Sequence, residues 1–222
     1  MPSPPSLFDV EQFRTETRRV VVARDVDGPT LVLGSTQSAE LIDAPAARER
    51  CVEVTRRRGG GGAVYLGPGE QLWLDAWIPR DDPLWVVDVS AAAEWVGAWW
   101  SEALGANGQR GLEVHRGRSV PGDMGDLVCF AGRGPGEVFR GDRKVVGLSQ
   151  WRAREGALFS SCAYLHWDPA PLLALVDVGE EARPELARRL AALAAGLADL
   201  DPPAVDPGRV RASLLATFPD FG

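Results

Sequence analysis

Lysine is almost absent from this chain. Of its 24 basic residues Lys144 alone is a lysine, and all the others are arginine. High-GC coding content produces such a bias by itself, so the arginines carry no message as a class, whereas the place of the surviving lysine does. Histidine and cysteine are scarce too: His115 and His166, with Cys51, Cys129 and Cys162. Their spacing fits no metal-ligand pattern, which argues against a zinc site, and an odd number of thiols predicts free cysteines in a reducing compartment. No apolar run reaches membrane-spanning length. The opening MPSPPSLFDVEQF lacks the basic head and apolar centre of a signal peptide, so a cytoplasmic protein without a membrane partner is expected. A net charge of −7 argues against general nucleic-acid binding, which depends on basic residues. There is no internal repeat.

What remains is ordinary globular material: 222 residues, 45% hydrophobic and 25% charged, enough for one well-buried core. Residues 1–8, rich in proline and serine, are expected to be a mobile tail. Strands are predicted at Val20–Ala23 and Thr30–Leu33 around a turn at Asp27-Gly28-Pro29, and at Val52–Arg56, after a short helix at Ala46–Arg50. From Gln71 to Ile78 the chain alternates, with Leu72, Leu74, Ala76 and Ile78 on one face and Trp73, Asp75 and Trp77 on the other. Ser90 is the predicted N-cap of a helix whose apolar stripe is Val96, Trp99, Trp100, Ala103 and Leu104 and which ends near Gly105. Further strands are predicted at Leu112–His115, Asp126–Phe130, Glu137–Phe139, Lys144–Ser149 and Ala157–His166, with a hairpin turn at Gly141-Asp142. Helices follow at Pro171–Val176, Glu180–Leu200 and Pro207–Phe218, the second carrying Leu186, Leu190, Leu193 and Leu197. Strands early and helices late predict an α+β layer fold on a mixed sheet, with residues 9–222 forming one domain.

The most unusual stretch is Arg56-Arg57-Arg58-Gly59-Gly60-Gly61-Gly62, followed at once by the apolar Ala63-Val64-Tyr65. Bare consecutive amides can form a concave donor surface for phosphate or carboxylate oxygens, and a neighbouring arginine adds charge and a bidentate fork. No GK[ST] follows, and the run enters a strand instead of opening a helix, which excludes the Walker and dinucleotide loops. A flexible glycine tract is the plainer alternative.

Residues 56–65 resemble the signature of the lipoate–protein ligase A family: two arginines, two residues, three glycines, Ala-Val and an aromatic. A second stretch, Gly141-Asp142-Arg143-Lys144-Val145-Val146-Gly147-Leu148-Ser149-Gln150-Trp151-Arg152, resembles the family's Gly-Arg-Lys segment. Leu31-Val32-Leu33-Gly34-Ser35-Thr36-Gln37 resembles its early valine–isoleucine–glycine strand. The likeness runs from about residue 30 to 176 and takes in the octanoyltransferases. It implies the fold of the biotin and lipoate ligases, a mixed sheet with helices on one side related to class II aminoacyl-tRNA synthetases. It also implies ATP and magnesium as cofactors, lipoate or octanoate as substrate, and an acyl-adenylate passed to a lysine of a lipoyl carrier domain (a 2-oxoacid dehydrogenase E2 or the glycine cleavage H protein). By the same likeness residues 9–222 are expected to be a single biotin/lipoate ligase-like catalytic domain with no accessory C-terminal domain, so an accessory function would need a separate subunit.

By the same resemblance Lys144 is the catalytic lysine, and Arg57, Gly60, Gly61, Gly62, Ala63 and Gly147 border the acyl-adenylate. Glu137, seven residues before Lys144, helps bind magnesium and nucleotide, unless it is an ordinary strand-starting acid. Gly34, Trp73 and Trp77 wall the acyl channel or belong to the core. Cys129-Phe130 resembles the Cys-Phe pair of transferases that carry the acyl group as a thioester without ATP; a buried strand cysteine is the alternative. The sequence departs from the family at Gly59 (usually serine), Leu66 (often histidine), Leu148 (serine) and Phe159-Ser160-Ser161, where lipoate ligases have Phe-His-His.

Overall fold

The computed structural model describes residues 10–202 and 206–219, so the N-terminal tail expected at residues 1–8 lies outside the described residues. The frame is a six-stranded sheet in the order β1-β5-β9-β8-β7-β6. Its strands are β1 (Val20–Arg24), β5 (Gln71–Pro79), β6 (Leu112–Val114), β7 (Val138–Arg140), β8 (Arg143–Arg152) and β9 (Gly156–Tyr164), and every pairing is antiparallel. The mixed character lies in a second, three-stranded sheet. There β2 (Thr30–Leu33) runs parallel to β3 (Glu53–Arg56) and antiparallel to β4 (Val64–Leu66). The alternation along β5 has the predicted sense, but both faces are covered and all nine residues of the strand are buried.

One face of the large sheet packs on α2 (Val89–Ala106) and α5 (Pro207–Thr217), through Leu72, Leu74, Ala76 and Ile78 against Val96, Trp99, Trp100, Val210 and Leu214. The indole N–H of Trp100 donates to Ser161 Oγ at 2.9 Å and that of Trp99 to the Leu214 carbonyl at 2.9 Å, so both buried rings are satisfied. The other face packs through Trp73, Cys162 and Tyr164 on the small sheet, α3 (Ala170–Leu173) and α4 (Arg183–Leu193). Helices therefore lie on both sides of the sheet, not on the single side the resemblance implied. The helix α1 (Ala44–Glu49) connects β2 to β3. No described helix is long and apolar enough to cross a membrane.

Three local expectations are corrected. The N-cap of α2 is Asp88, whose carboxylate accepts from the Ala91 amide at 2.8 Å, two residues before the predicted Ser90. Asp126–Phe130 is no strand: it makes one bridge, Ala63 to Val128, and turns into a 3-10 helix at Cys129–Ala131. The long helix expected at Glu180–Leu200 stops at Leu193. Ala194 is extended and bridges to Lys144, and the Ala195 amide donates to the Lys144 carbonyl at 2.9 Å. A Cβ at Gly196 would stand 2.5 Å from the backbone of Leu165 and His166, so only glycine lets the chain pass there. The leucines at 190 and 197 consequently enter different clusters on opposite faces of the sheet.

Asp88→Ala should lower unfolding stability in urea by about 1 kcal/mol, while Ser90→Ala should change it by less than about 0.5 kcal/mol. The reverse order would contradict the cap assignment.

Candidate active site

Lys144 is the second residue of β8 and only 1% exposed, which rules out a turn-flanking surface lysine. Opposite Val138–Phe139 of β7 the strand carries a β-bulge, with Lys144 paired to Phe139 and Val146 to Val138. Bulges re-aim side chains. Here the ammonium reaches two oxygens at 2.7 Å, Glu137 Oε2 and the Cys129 carbonyl, between the rings of Phe130 and Phe139, whose centroids lie 5.7 and 5.9 Å away. An ammonium has three donors, so one remains for a ligand.

Glu137 is nearly as buried, 3% exposed: Oε2 also accepts from the Gly134 amide and Oε1 from Leu148 N at 3.4 Å. Burial pushes its carboxyl above the ordinary glutamate range, while the Lys144 charge and these N–H bonds act in the opposite direction. The magnesium role implied for Glu137 does not fit this arrangement, because its oxygens already face an ammonium and two amides. Among the described residues no group of three or more His, Cys, Asp or Glu side chains is placed to hold a metal ion. Glu137 is the counter-ion of Lys144.

The glycine run lies against this pair. Ala63 clips it in place, donating its N–H to the Leu127 carbonyl at 2.9 Å and accepting from the Cys129 amide at 3.0 Å. Beneath the loop Arg57 is 4% exposed, and its Nη2 donates to the carbonyls of Gly60 (2.7 Å) and Gly62 (2.9 Å) while Nε reaches Ser149 Oγ at 3.3 Å. Carbonyls thus turn toward Arg57, and the N–H groups of Gly60, Gly61 and Gly62 donate to no acceptor among the described residues. The Nη1 of Arg57 is likewise buried without a partner. The spare amides belong to residues that line a cavity and are donors suited to carboxylate or phosphate oxygens, whereas Arg57 stays beneath the loop.

A cavity of about 440 Å³ opens where these elements meet. Of the residues singled out from sequence, Gly60, Gly61, Gly62, Cys129, Glu137 and Lys144 line it. Others act from outside. A Cβ at Gly34 would stand 1.9 Å from the Gly61 carbonyl oxygen, so Gly34 seats the loop and walls no channel. Gly147 makes room for the Phe130 ring, 2.9 Å from where its Cβ would be. Trp73 belongs to the core beneath the small sheet, its Nε1 donating to Asp75 at 3.0 Å, and Trp77 packs with Val10, Phe13 and Leu158. Sequence reasoning missed the rest of the lining: Val89, Ser90 and Ala93 of α2, Ser149 and Gln150 of β8, and the loop carrying Val120, Asp126 and Arg133. The quoted second motif included Ser149 and Gln150, whereas nothing in the sequence singles out Arg133. Gly59, a departure from the family pattern, has a cause here, since a Cβ at that place would meet Ser149 Oγ at 1.9 Å.

A second hollow of about 700 Å³ lies beside Pro79 and Glu155. There Arg14 pairs with Glu155 at 3.2 Å and Arg19 with Asp82 at 2.9 Å, and none of the residues singled out from the sequence lines it.

Gly34→Ala and Gly62→Ala, the latter with its Cβ 2.6 Å from backbone atoms of Gly125 and Val128, should each destabilise by about 1–3 kcal/mol or more. Gly60→Ala, with open space around its Cβ, should unfold at the wild-type temperature. Equal melting temperatures for all three would contradict the packed-loop geometry.

The fold is similar to that of a bi-partite lipoate protein ligase from Thermoplasma acidophilum, solved in a study of an archaeal lipoylation system with its E2 lipoyl domain (TM-score 0.71, 20% identity, covering 92% of this chain and 72% of that one). It is similar to a T. acidophilum protein assigned as a lipoate protein ligase and solved with bound lipoic acid (TM-score 0.66, 18% identity, 92% and 74% covered). It is also similar to a lipoate-protein ligase A bound with ATP (TM-score 0.66, 19% identity, 92% and 73% covered). No curated protein sequence matches this one at a significant level. The family model of the lipoyl protein ligase A/B catalytic domain matches residues 10–219, nearly the whole chain, and the protein therefore belongs to the lipoyl protein ligase A/B catalytic-domain family.

Proposed function

We propose that this chain is the catalytic unit of an ATP-dependent lipoate–protein ligase-like enzyme, taking lipoate or octanoate to an acyl-adenylate and then to a lysine of a lipoyl carrier domain. The carrying observation is the convergence on one cavity of a buried lysine with a spare proton and three unengaged glycine amides. In the first step a carboxylate oxygen attacks the α-phosphorus of ATP and pyrophosphate leaves. In the second the carrier amine attacks the acyl carbonyl, the C–O bond to AMP breaks and an amide forms. Both steps concentrate negative charge on oxygens. Donors fixed beforehand lower such barriers most when they need no reorganisation, and the Glu137 contact holds the ammonium in place throughout. A cavity of about 440 Å³ falls within the range of small-molecule sites.

Cys129 supports a second reading because it lines the same cavity. Its thiolate would attack an acyl thioester, displace the donor thiol and pass the acyl group to the carrier amine without ATP. Incubation with octanoyl carrier protein and intact-mass analysis separates the two, since a thioester on Cys129 supports this route and an unmodified protein removes it.

Incubation with ATP, magnesium and lipoate should yield lipoyl-adenylate and pyrophosphate. Lys144→Ala would leave Glu137 buried and unpaired at a cost of about 3–5 kcal/mol, so the sharper variant is the double change Lys144→Met/Glu137→Gln. It should fold and lose adenylate formation by at least about a hundredfold, the scale for one fixed donor. A folded double variant with wild-type turnover would contradict the assignment.

The pH dependence follows from Glu137. Burial raises its carboxyl above the usual range, and protonation removes the counter-ion that holds Lys144. Activity should therefore fall as pH is lowered, with the acid limb above the ordinary glutamate range, and Glu137→Gln should abolish that limb. A limb at the ordinary glutamate value would contradict the coupling.

A further inference from the structure

Four charged side chains line the cavity: Asp126, Arg133, Glu137 and Lys144. They sum to zero, which is unexpected for a site that receives a triphosphate. The balance is uneven, however. Lys144 and Glu137 neutralise each other at 2.7 Å with side chains 1% and 4% exposed, so the pair brings no net charge to a triphosphate, although Lys144 keeps one N–H for a ligand oxygen. Arg133 has an ion-pair partner too, Asp142 at 2.9 Å, but that carboxylate is wholly exposed. A pair of that kind is weak and readily exchanged. The other arginines near the site are committed elsewhere: Arg57 to glycine carbonyls beneath the loop, and Arg152 to the carbonyls of Val86 and Val87.

Arg133 is also held as a binding group has to be held. Its backbone exchanges two hydrogen bonds with Val120, both 2.7 Å, and its guanidinium carbon stands 4.4 Å above the Phe139 ring. Lys144 Nζ approaches the same ring at 5.9 Å, so the two cations are no farther apart than those two distances combined. The next residue, Gly134, supplies the amide that Glu137 binds, which ties the arginine's loop to the buried ion pair. Stacked on an aromatic face, a guanidinium keeps its planar fork free for oxygens.

We infer that Arg133 is the polyphosphate-binding cation of this cavity, taking the β- and γ-phosphates of a nucleoside triphosphate and the pyrophosphate that leaves. The inference rests on the ATP-dependent reading above. It gives the triphosphate a countercharge from the protein at the place where Glu137 has none to offer a divalent ion. On binding, phosphate oxygens displace Asp142 from the fork, and the carboxylate returns to water.

Titration calorimetry of inorganic pyrophosphate into the full chain tests it. Wild type should bind, Arg133→Gln should bind at least tenfold more weakly, and Arg133→Lys should recover part of the loss. Asp142→Asn, which removes the competing surface partner, should bind more tightly, a change that misfolding cannot produce. In turnover, Arg133→Gln should raise the KM for ATP, while transfer from preformed lipoyl-adenylate, which has no β- or γ-phosphate, stays at the wild-type rate. Wild type that fails to bind pyrophosphate, an Arg133→Gln affinity equal to wild type, or an Asp142→Asn affinity no tighter than wild type would each overturn the inference. Pyrophosphate binding that follows these variants in a protein making no adenylate would uphold Arg133 and defeat the ligase reading alone.

Discussion

A lysine and a glutamate sharing a proton-tight contact away from water set the terms for everything around them. Removing two charges from solvent costs several kcal/mol each unless they meet each other and their remaining hydrogen-bonding groups are satisfied. Here the conditions are met by backbone: the Cys129 carbonyl for the ammonium, the Gly134 and Leu148 amides for the carboxylate. Those three groups come from a 3-10 turn, a loop and the sheet itself, so the pair fixes the relative positions of three segments. The bulge in β8 and the bridge from Ala194 fix the lysine's own backbone. A protein spends this much structure on one ammonium where a charge must be held ready, and the pair is better understood as preorganisation than as a source of stability.

The glycine loop is the second half of the device, and its chemistry depends on packing below it. Gly34 lets the Gly61 carbonyl approach, Gly62 lets Gly125 and Val128 approach, and Arg57 draws two carbonyls downward. Turning the Gly60 carbonyl in turns the Gly61 amide, which shares its peptide plane, outward. The arginine of the signature thus acts on the loop from beneath and is not among the residues that line the cavity. Gly59 and Ser149 show the same economy of space, since the hydroxyl of one strand occupies the place a side chain at residue 59 would need.

Much of this was legible in the sequence. The two-residue period of β5 and the apolar stripe of α2 gave the principal layers, because burial on a regular surface leaves a regular trace. The two motifs located the lysine and the glycines. What stayed hidden was set by contacts distant in sequence. The Asp126–Phe130 run has strand composition, yet Val128 finds a single partner at Ala63 and Cys129 turns to offer its carbonyl to Lys144. The heptad-like leucines after Glu180 promised a continuous helix, but the chain leaves it at Ala194 to cover the lysine. Spacing leaves the acid at 137 open between a magnesium role and an ordinary strand-starting acid, because it cannot reveal that the carboxylate faces Lys144 and two backbone amides. Arg133 has no periodic or motif signal at all, and it emerges only from comparing exposures of counter-ions across the cavity.

The most direct test of the central claim is a crystal structure of the protein with a non-hydrolysable lipoyl-adenylate mimic whose sulfamoyl group replaces the phosphate. The account predicts the sulfamoyl oxygens within hydrogen-bond distance of Lys144 Nζ and of the Gly60–Gly62 amides, with the Lys144–Glu137 contact intact. A mimic bound elsewhere, such as the hollow beside Pro79 and Glu155, or a Lys144 that leaves Glu137 to reach it, would contradict the account.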